Sequence, residues 1–281
     1  MSLVEPIKTS RHGFVRYVDH MGDDSSIVQA ARVSYGDGTK SVREDAALIE
    51  HLIENGHTSP LEMVELKLHI SCTIFEARQF VRHRTASWSE LSGRYSVVPG
   101  DFWYPEPHEV RGQGSGRNKQ AADGIMPFDE QTAAASCMKN VMQYAYGAYE
   151  SLLAAGVGRE QARALLPQSM YTQFYWKIDG NNLLKVLALR DDSHAQKETR
   201  EMAIAIKQIA WLLWPQTCAA ADEWLWGSVK LSKTEVVALR EIMEYEIAKD
   251  SEARWTLAAQ ALGDWGTSEA KVKRFMGKVG L

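Results

Sequence analysis

Between Arg82 and Tyr95 the chain reads RHRTASWSELSGRY, with three arginines, a histidine, one carboxylate and three serines in fourteen positions. Arginine offers a planar fork of donors that matches a pair of phosphate oxygens, and it can also stack on a flat ring. Ser92 and Gly93 predict a turn whose backbone N–H groups face the same anion, with the glycine taking the positive φ such a nest requires. Glu90 supplies the acceptor that arginines lack, suited to ribose hydroxyls or a base N–H. The chemistry expected is a grip on a nucleotide phosphate beside a flat heteroaromatic ring. The preceding IFEARQFVRHR has a helical pattern, and a basic last turn would account for Arg82 and Arg84 without any ligand. It would leave the serines and Arg94 unexplained.

Further candidates lie downstream. Arg190 is followed by Asp191 and Asp192 and could pair with either; His194 stands four residues on, so one helical face would present both it and Arg190. Arg163, in REQAR, fits a ligand or a solvated helix face equally. Cys72, Cys137 and Cys218 are odd in number and widely spaced. They predict no zinc site, no metal and no disulfide framework, and a reducing compartment. Cys72 falls on an apolar strand stripe, Cys137 in a helix and Cys218 among alanines, so all three read as buried structural thiols rather than nucleophiles.

Regular elements must position these residues. GFVRYVDHM alternates as a strand and SSIVQAARVSY follows as a short helix. SVREDAALIEHLIENG predicts a helix opened by a Ser41/Glu44 capping box and closed at Gly56. VELKLHISC places Val64, Leu66, Leu68, Ile70 and Cys72 on one face of a strand. The segment 97–127 is rich in proline, glycine and polar residues; its GQGSGRNK, with no strand before it, reads as a mobile surface insert rather than a phosphate loop. A long helix then closes at Gly156, and a shorter one containing Arg163 stops at Pro167. MYTQFYWKI reads as a strand, NNLLKVLALR as a helix, and SHAQKETREMAIAIKQIAWLLW as a long helix ended by Pro215. Helices among a few antiparallel strands give an α+β fold.

Composition is consistent with a local anion site. Of 281 residues 45% are apolar, enough for a substantial core, and the net charge of −4 argues against a nucleic-acid coat. No signal pattern or apolar run long enough for a bilayer is visible, so a soluble cytoplasmic protein without membrane partners is expected.

The arginine segment resembles the signature of the flavin-dependent thymidylate synthases, R-H-R-x-x-S-x-x-x-x-S-x-R, with Arg82, His83, Arg84, Ser87, Ser92 and Arg94 falling on it. AARVSYG, GHTSPLE, ARALLPQSMYTQFYWKID and LALRDDSHAQKE resemble further blocks of that family, in its order. The resemblance implies a catalytic domain over residues 1–226 and leaves 227–281 as a helical C-terminal extension. There Ser232 and Glu235 suggest a capping box, and Trp255, Trp265 and Phe275 would pack on one another. It implies a methyltransferase that converts dUMP to dTMP, with 5,10-methylenetetrahydrofolate as carbon donor and FAD, reduced by NADPH, as hydride donor. The oligomer implied is a homotetramer with shared sites.

By the same resemblance Arg190 is catalytic, stabilising charge at N3 and O2 of the pyrimidine. Gln79, Arg82, Glu90, Leu91, Ser92, Gly93, Arg94 and Arg163 would bind the nucleotide with it. Ser34, Ser59, Glu62, Arg82, His83, Arg84, Thr85, Glu90, Asp179, Asn181, Lys185 and His194 would bind FAD. Ser89, Asp179, Asn181 and Lys185 depart from the family pattern, and a lysine there could stabilise reduced flavin or pair with its phosphates. A same-fold enzyme acting on dCMP, or leaving a hydroxymethyl group, is the nearest rival. A non-catalytic nucleotide- or single-strand-binding protein, or a lapsed structural subunit, is the rival of another class.

Overall fold

Alternation decides the centre of the fold. In β3 (Glu65–Thr73) Leu66, Leu68, Ile70 and Cys72 are fully buried, as is Val64 just before it, so one face of the strand is core. β5 (Tyr171–Asp179) matches it with Phe174, Trp176 and Ile178. With β1 (Ile7–Lys8), β2 (Phe14–Met21) and β4 (Ala86–Glu90) they form an antiparallel sheet of order β1-β2-β3-β5-β4. β3, the central strand, pairs with β5 in register from Glu65 opposite Asp179 to Thr73 opposite Tyr171. β4, which carries the middle five of the fourteen positions from Arg82 to Tyr95, is an edge strand bonded to β5 alone.

The computed structural model describes residues 5–33, 42–114, 122, 124–237 and 239. The chain divides into two units, Met1–Gly227 and Ser228–Leu281. In the first unit, α1 (Asp24–Arg32), α2 (Val42–Glu54), α6 (Gly180–Arg190), α7 (Lys197–Leu213) and α8 (Pro215–Ala221) supply apolar faces to the core face of the sheet. Ile49, Leu183, Leu187, Met202, Ile206 and Trp214 pack there, all at or near complete burial. α3 (Ile74–Phe80), α4 (Phe128–Ala154) and α5 (Arg159–Ala162) are its other α-helices among the described residues. Gly56 and Gly156 take φ of 68° and 85° just past α2 and α4, the left-handed closure expected of them.

The architecture is α+β as expected, with several local differences. α3 ends at Phe80, so Arg82 and Arg84 lie beyond it and are not a basic last turn. α7 starts at Lys197 rather than Ser193, and Pro215 opens α8 at its first position, where its missing N–H costs nothing. Arg163 sits in a 3-10 turn, Arg163–Leu165, after α5. Cys72 and Cys218 are buried as expected, but Cys137 is exposed on α4. In the segment 97–127, Phe102 bridges to Met170 and Gly112 to Gly124. Much of GQGSGRNK, like Ser41 of the first capping box, lies outside the described residues. In the second unit the Ser232/Glu235 box is formed: the Ser232 N–H donates to the Glu235 carboxylate at 2.7 Å and the Glu235 N–H to Ser232 Oγ at 3.3 Å. Trp255, Trp265 and Phe275 lie outside the described residues.

Candidate active site

α3 begins where β3 ends. Thr73 caps it, accepting from the Glu76 N–H and donating its hydroxyl to the buried Glu76 carboxylate at 2.6 Å. At the far end Phe80 is fully buried, edge-on to Trp176, and fixes the point where the chain leaves the helix. The His83 N–H closes on Phe80 O at 3.0 Å, and residues 82–85 form a turn into β4. Arg82, Arg84 and Thr85 are exposed, and neither arginine forms an ion pair with another described residue.

Arg190 is the last residue of α6 and is half-buried. Its Nε donates to His83 Nε2 at 3.1 Å and its Nη2 to Gln79 O at 3.0 Å. A guanidinium can only donate, so His83 must accept at Nε2, which makes it the neutral tautomer with its proton on Nδ1. Burial lowers the His83 pKa, and the Arg190 charge lowers it further; burial also lowers that of Arg190. The pairing of Arg190 with its neighbouring aspartates does not occur. Asp191 takes Lys207 at 3.0 Å, and Asp192 takes His194 at 2.8 Å.

At its other end α6 is capped by Asp179, which accepts from the Asn182 backbone and side chain at 2.9 and 2.7 Å. Asn181 is buried and donates to Glu62 at 3.1 Å. Glu62 and Ser59 belong to the 3-10 turn Ser59–Met63, which packs so closely that a Cβ on Gly180 would lie 2.7 Å from Leu61 O. Lys185 is exposed one turn further along α6. Arg84, Thr85 and Asp179 line a cleft of 220 Å³ with Ser87, Glu65 and Lys177, the last two forming an ion pair. Most of the residues expected at the flavin therefore gather around the α3–β4 turn, the start of α6 and this 3-10 turn.

The residues expected at the nucleotide divide. Past β4 the Leu91 N–H still bonds to Gln173 O, and the chain then turns, with the Tyr95 and Ser96 N–H groups on Ser92 O. Gly93 does not take a positive φ, so the expected nest is not formed. Its lack of a side chain serves packing instead: a Cβ there would lie 3.3 Å from Arg163 Cδ and 3.2 Å from Val98 Cγ2. Arg94 pairs with Glu160 at 2.7 Å, both being more than half exposed. Ser92, Gly93, Arg94 and Arg163 thus form one group after β4, while Gln79, His83 and Arg190 form another before it. No described contact within the chain joins the two.

One expected residue stands apart. His194 is not on a helical face with Arg190, because α6 stops there and a turn closed by the Ala195 N–H on Asp192 O carries it; its side chain is 76% exposed. Ser34 lies outside the described residues. Residues that the sequence reading missed include Gln196, whose Oε1 accepts from Gln79 Nε2 at 2.7 Å, and Thr172 and Trp88, which hold Glu90. The alternation of Ala86, Trp88 and Glu90 was the available signal for the last of these. Among the described residues no cluster of His, Cys, Asp and Glu could hold a metal ion, and no helix is long and apolar enough to cross a membrane.

The family model described as "Thymidylate synthase complementing protein" matches residues 16–216. A flavin-dependent thymidylate synthase of Thermus thermophilus is 47% identical over 267 residues, 95% of this chain and 93% of that protein. That alignment covers too much of the chain to stop before the C-terminal extension. The enzyme of the same name from Treponema denticola is 43% identical over 231 residues, 82% of this chain and 87% of the relative. Among solved structures, the UMP/dUMP methylase PolB from Streptomyces cacaoi, bound with 5-Br dUMP, matches with a TM-score of 0.70. It is 28% identical, over 78% of this chain and 98% of that one. With the motif displayed at a sheet edge, an antiparallel α+β frame behind it and relatives this similar, the chain belongs to the flavin-dependent thymidylate synthase family.

Proposed function

We propose that the chain makes thymidylate from deoxyuridylate, taking carbon from 5,10-methylenetetrahydrofolate and hydride from FAD reduced by NADPH. The observation that carries this reading is the half-buried Arg190, held by His83 and Gln79 beside two exposed arginines that form no ion pair among the described residues. FAD fits that donor set: its pyrophosphate needs cations, which Arg82, Arg84 and Lys185 can supply. Asp179 and Asn181 are partly committed to capping α6 and bonding Glu62, so they would support the site more than grip the cofactor. When bound, the flavin supplies the hydride that reduces the transferred carbon.

Arg190 would lie against the pyrimidine and stabilise negative charge at N3 and O2, a preorganised interaction of the kind worth about a hundred- to a thousandfold in rate. Its two bonds to the chain fix the guanidinium before substrate arrives. Arg94 and Arg163 would hold the phosphate, Arg94 exchanging its exposed carboxylate partner for it. Neither buried cysteine suits nucleophilic attack: burial pushes the Cys72 thiol well up and Cys218 to about 12.

The same geometry supports a homotetramer with shared sites. The cleft of 220 Å³ is smaller than the roughly 300–1,000 Å³ usual for ligand pockets. The nucleotide residues form two separate groups in one chain, so a neighbouring subunit would complete each site. α4 leaves Cys137, Met138, Val141 and Tyr144 exposed at helical spacing, a face suited to a second copy.

The test uses purified protein with bound flavin. Its absorbance should bleach with NADPH under anaerobic conditions and recover with methylenetetrahydrofolate and dUMP, yielding a nucleotide of the mass of dTMP. Parallel incubations with UMP and dCMP discriminate among pyrimidines; UMP is included because PolB is a UMP/dUMP methylase. A protein that binds no flavin, or leaves dUMP unchanged, refutes the proposal. Light scattering reports the tetramer.

A further inference from the structure

β4 and β5 run antiparallel with Glu90 opposite Phe174, which sets Thr172 diagonal to Glu90 on the same face of the sheet. The Thr172 hydroxyl donates to Glu90 Oε1 at 2.7 Å, and the Trp88 indole N–H donates to Oε2 at 3.3 Å. Both donors are themselves held. Thr172 is buried, 6% exposed, and its branched side chain has few rotamers. Trp88 is stacked on the buried Phe174, with ring centroids 3.6 Å apart and planes 17° apart.

An ionised carboxylate has about four acceptor positions. The chain takes one on each oxygen of Glu90, and the residue is otherwise exposed. Gripped at both oxygens, the carboxylate loses the rotation it would have at a strand edge. Its remaining lone pairs are presented together, already oriented for a donor. A glutamate left free would have to be ordered when the ligand binds, at a cost in affinity.

We propose that Thr172 is a positioning residue for the reaction, fixing the Glu90 carboxylate to receive an N–H or O–H donor of the bound nucleotide. The inference rests on Glu90 touching that ligand, as the proposed function has it. Thr172 is chosen over Trp88 because its bond is the shorter and its side chain the more deeply buried. Its effect passes entirely through Glu90, since it has no other side-chain hydrogen bond among the described residues.

The test is a double-mutant cycle on the flavin-loaded enzyme. Thr172→Val keeps the shape and removes the hydroxyl; Thr172→Ser keeps the hydroxyl. Thr172→Val should raise the KM for dUMP by about ten- to a hundredfold, the usual worth of a hydrogen bond to a charged group, with kcat changed much less. Thr172→Ser should stay within about threefold of the unmodified enzyme, because its bond to the carboxylate survives. In a Glu90→Ala background, Thr172→Val should add nothing further. Thr172→Ala serves the same cycle should Thr172→Val fail to fold.

An equal loss from Thr172→Val with and without Glu90 overturns the proposal, as does a serine variant no better than the valine one. An unchanged KM in Thr172→Val beside an impaired Glu90→Ala overturns it alone and leaves the Glu90 contact standing. If Glu90→Ala itself keeps its KM and flavin content, the contact is refuted and the positioning role falls with it.

Discussion

Arg190→Ala removes one charge and two hydrogen bonds, and the two losses should separate cleanly. On the stability side, His83 Nε2 and Gln79 O lose their donor. Arg190 is half-buried, so water can reach the vacated acceptors, and the cost should stay at about 1–3 kcal/mol. In a chain of this size that lowers the Tm by a few degrees, at roughly 2–4 °C per kcal/mol. On the catalytic side, losing the donors aimed at the developing charge should cost about a hundred- to a thousandfold in turnover, or roughly 2.7–4 kcal/mol. The assay pairs a thermal melt and flavin absorbance with single-turnover formation of dTMP from pre-reduced enzyme. The expected variant is folded and yellow, with its single-turnover rate reduced at least a hundredfold. Arg190→Lys should recover little, because one ammonium cannot reproduce the fork that reaches His83 and Gln79 together. Turnover within a few-fold of the unmodified enzyme would refute the role of Arg190, and so would a loss fully explained by unfolding.

His83 gives a pH dependence whose sign follows from its environment. Burial and the Arg190 charge depress its folded pKa below the ordinary value of 6.5, so its accepting Nε2 is intact above about 6.5. The stabilising contribution is lost as pH falls through the lower folded pKa; turnover should decline over the same acid range, and His83→Gln should shift or abolish that limb in a rate–pH profile. Glu160→Gln frees Arg94 from an exposed pair worth about 0–1 kcal/mol, so the Tm should hardly move while the KM for dUMP falls. Gly180→Ala drives a methyl against Leu61 O at 2.7 Å and should destabilise by about 1–3 kcal/mol in a denaturant melt, with flavin retention reduced as Asn181 and Glu62 part.

What the sequence conveyed well was whatever has a short period or a tight local code. Leu66, Leu68, Ile70 and Cys72 announced β3, Gly56 and Gly156 announced two helix ends, and the spacing from Arg82 to Arg94 announced the family. The errors arose where distant contacts overrule local pattern. Val81 to Arg84 continues a plausible helix with no glycine or proline to stop it, yet buried Phe80 and the His83–Arg190 bond lead the chain out at Phe80. His194 fell off the expected face because Asp191 and Asp192 are drawn to Lys207 and to His194 itself. Gly93 suggested a left-handed turn when its actual use is to admit the Arg163 side chain. The grip of Thr172 on Glu90 spans 82 positions, beyond any local pattern. Cys137 has the sequence of a buried helical thiol because periodicity marks an apolar face without saying which surface covers it.

Placing β4 at the rim has a mechanical corollary. β3 is laced to neighbours along both flanks and can open only with the body of the protein, whereas β4 hangs from β5 by one ladder of five paired residues. Prising it loose severs a handful of backbone bonds and disturbs the interior chiefly where Ala86 and Trp88 pack on it. Its amides should therefore exchange with solvent deuterium well before those of β3. The groups proposed to read the nucleotide are thus mounted on the strand of the sheet that gives way most cheaply, with the frame behind it left standing.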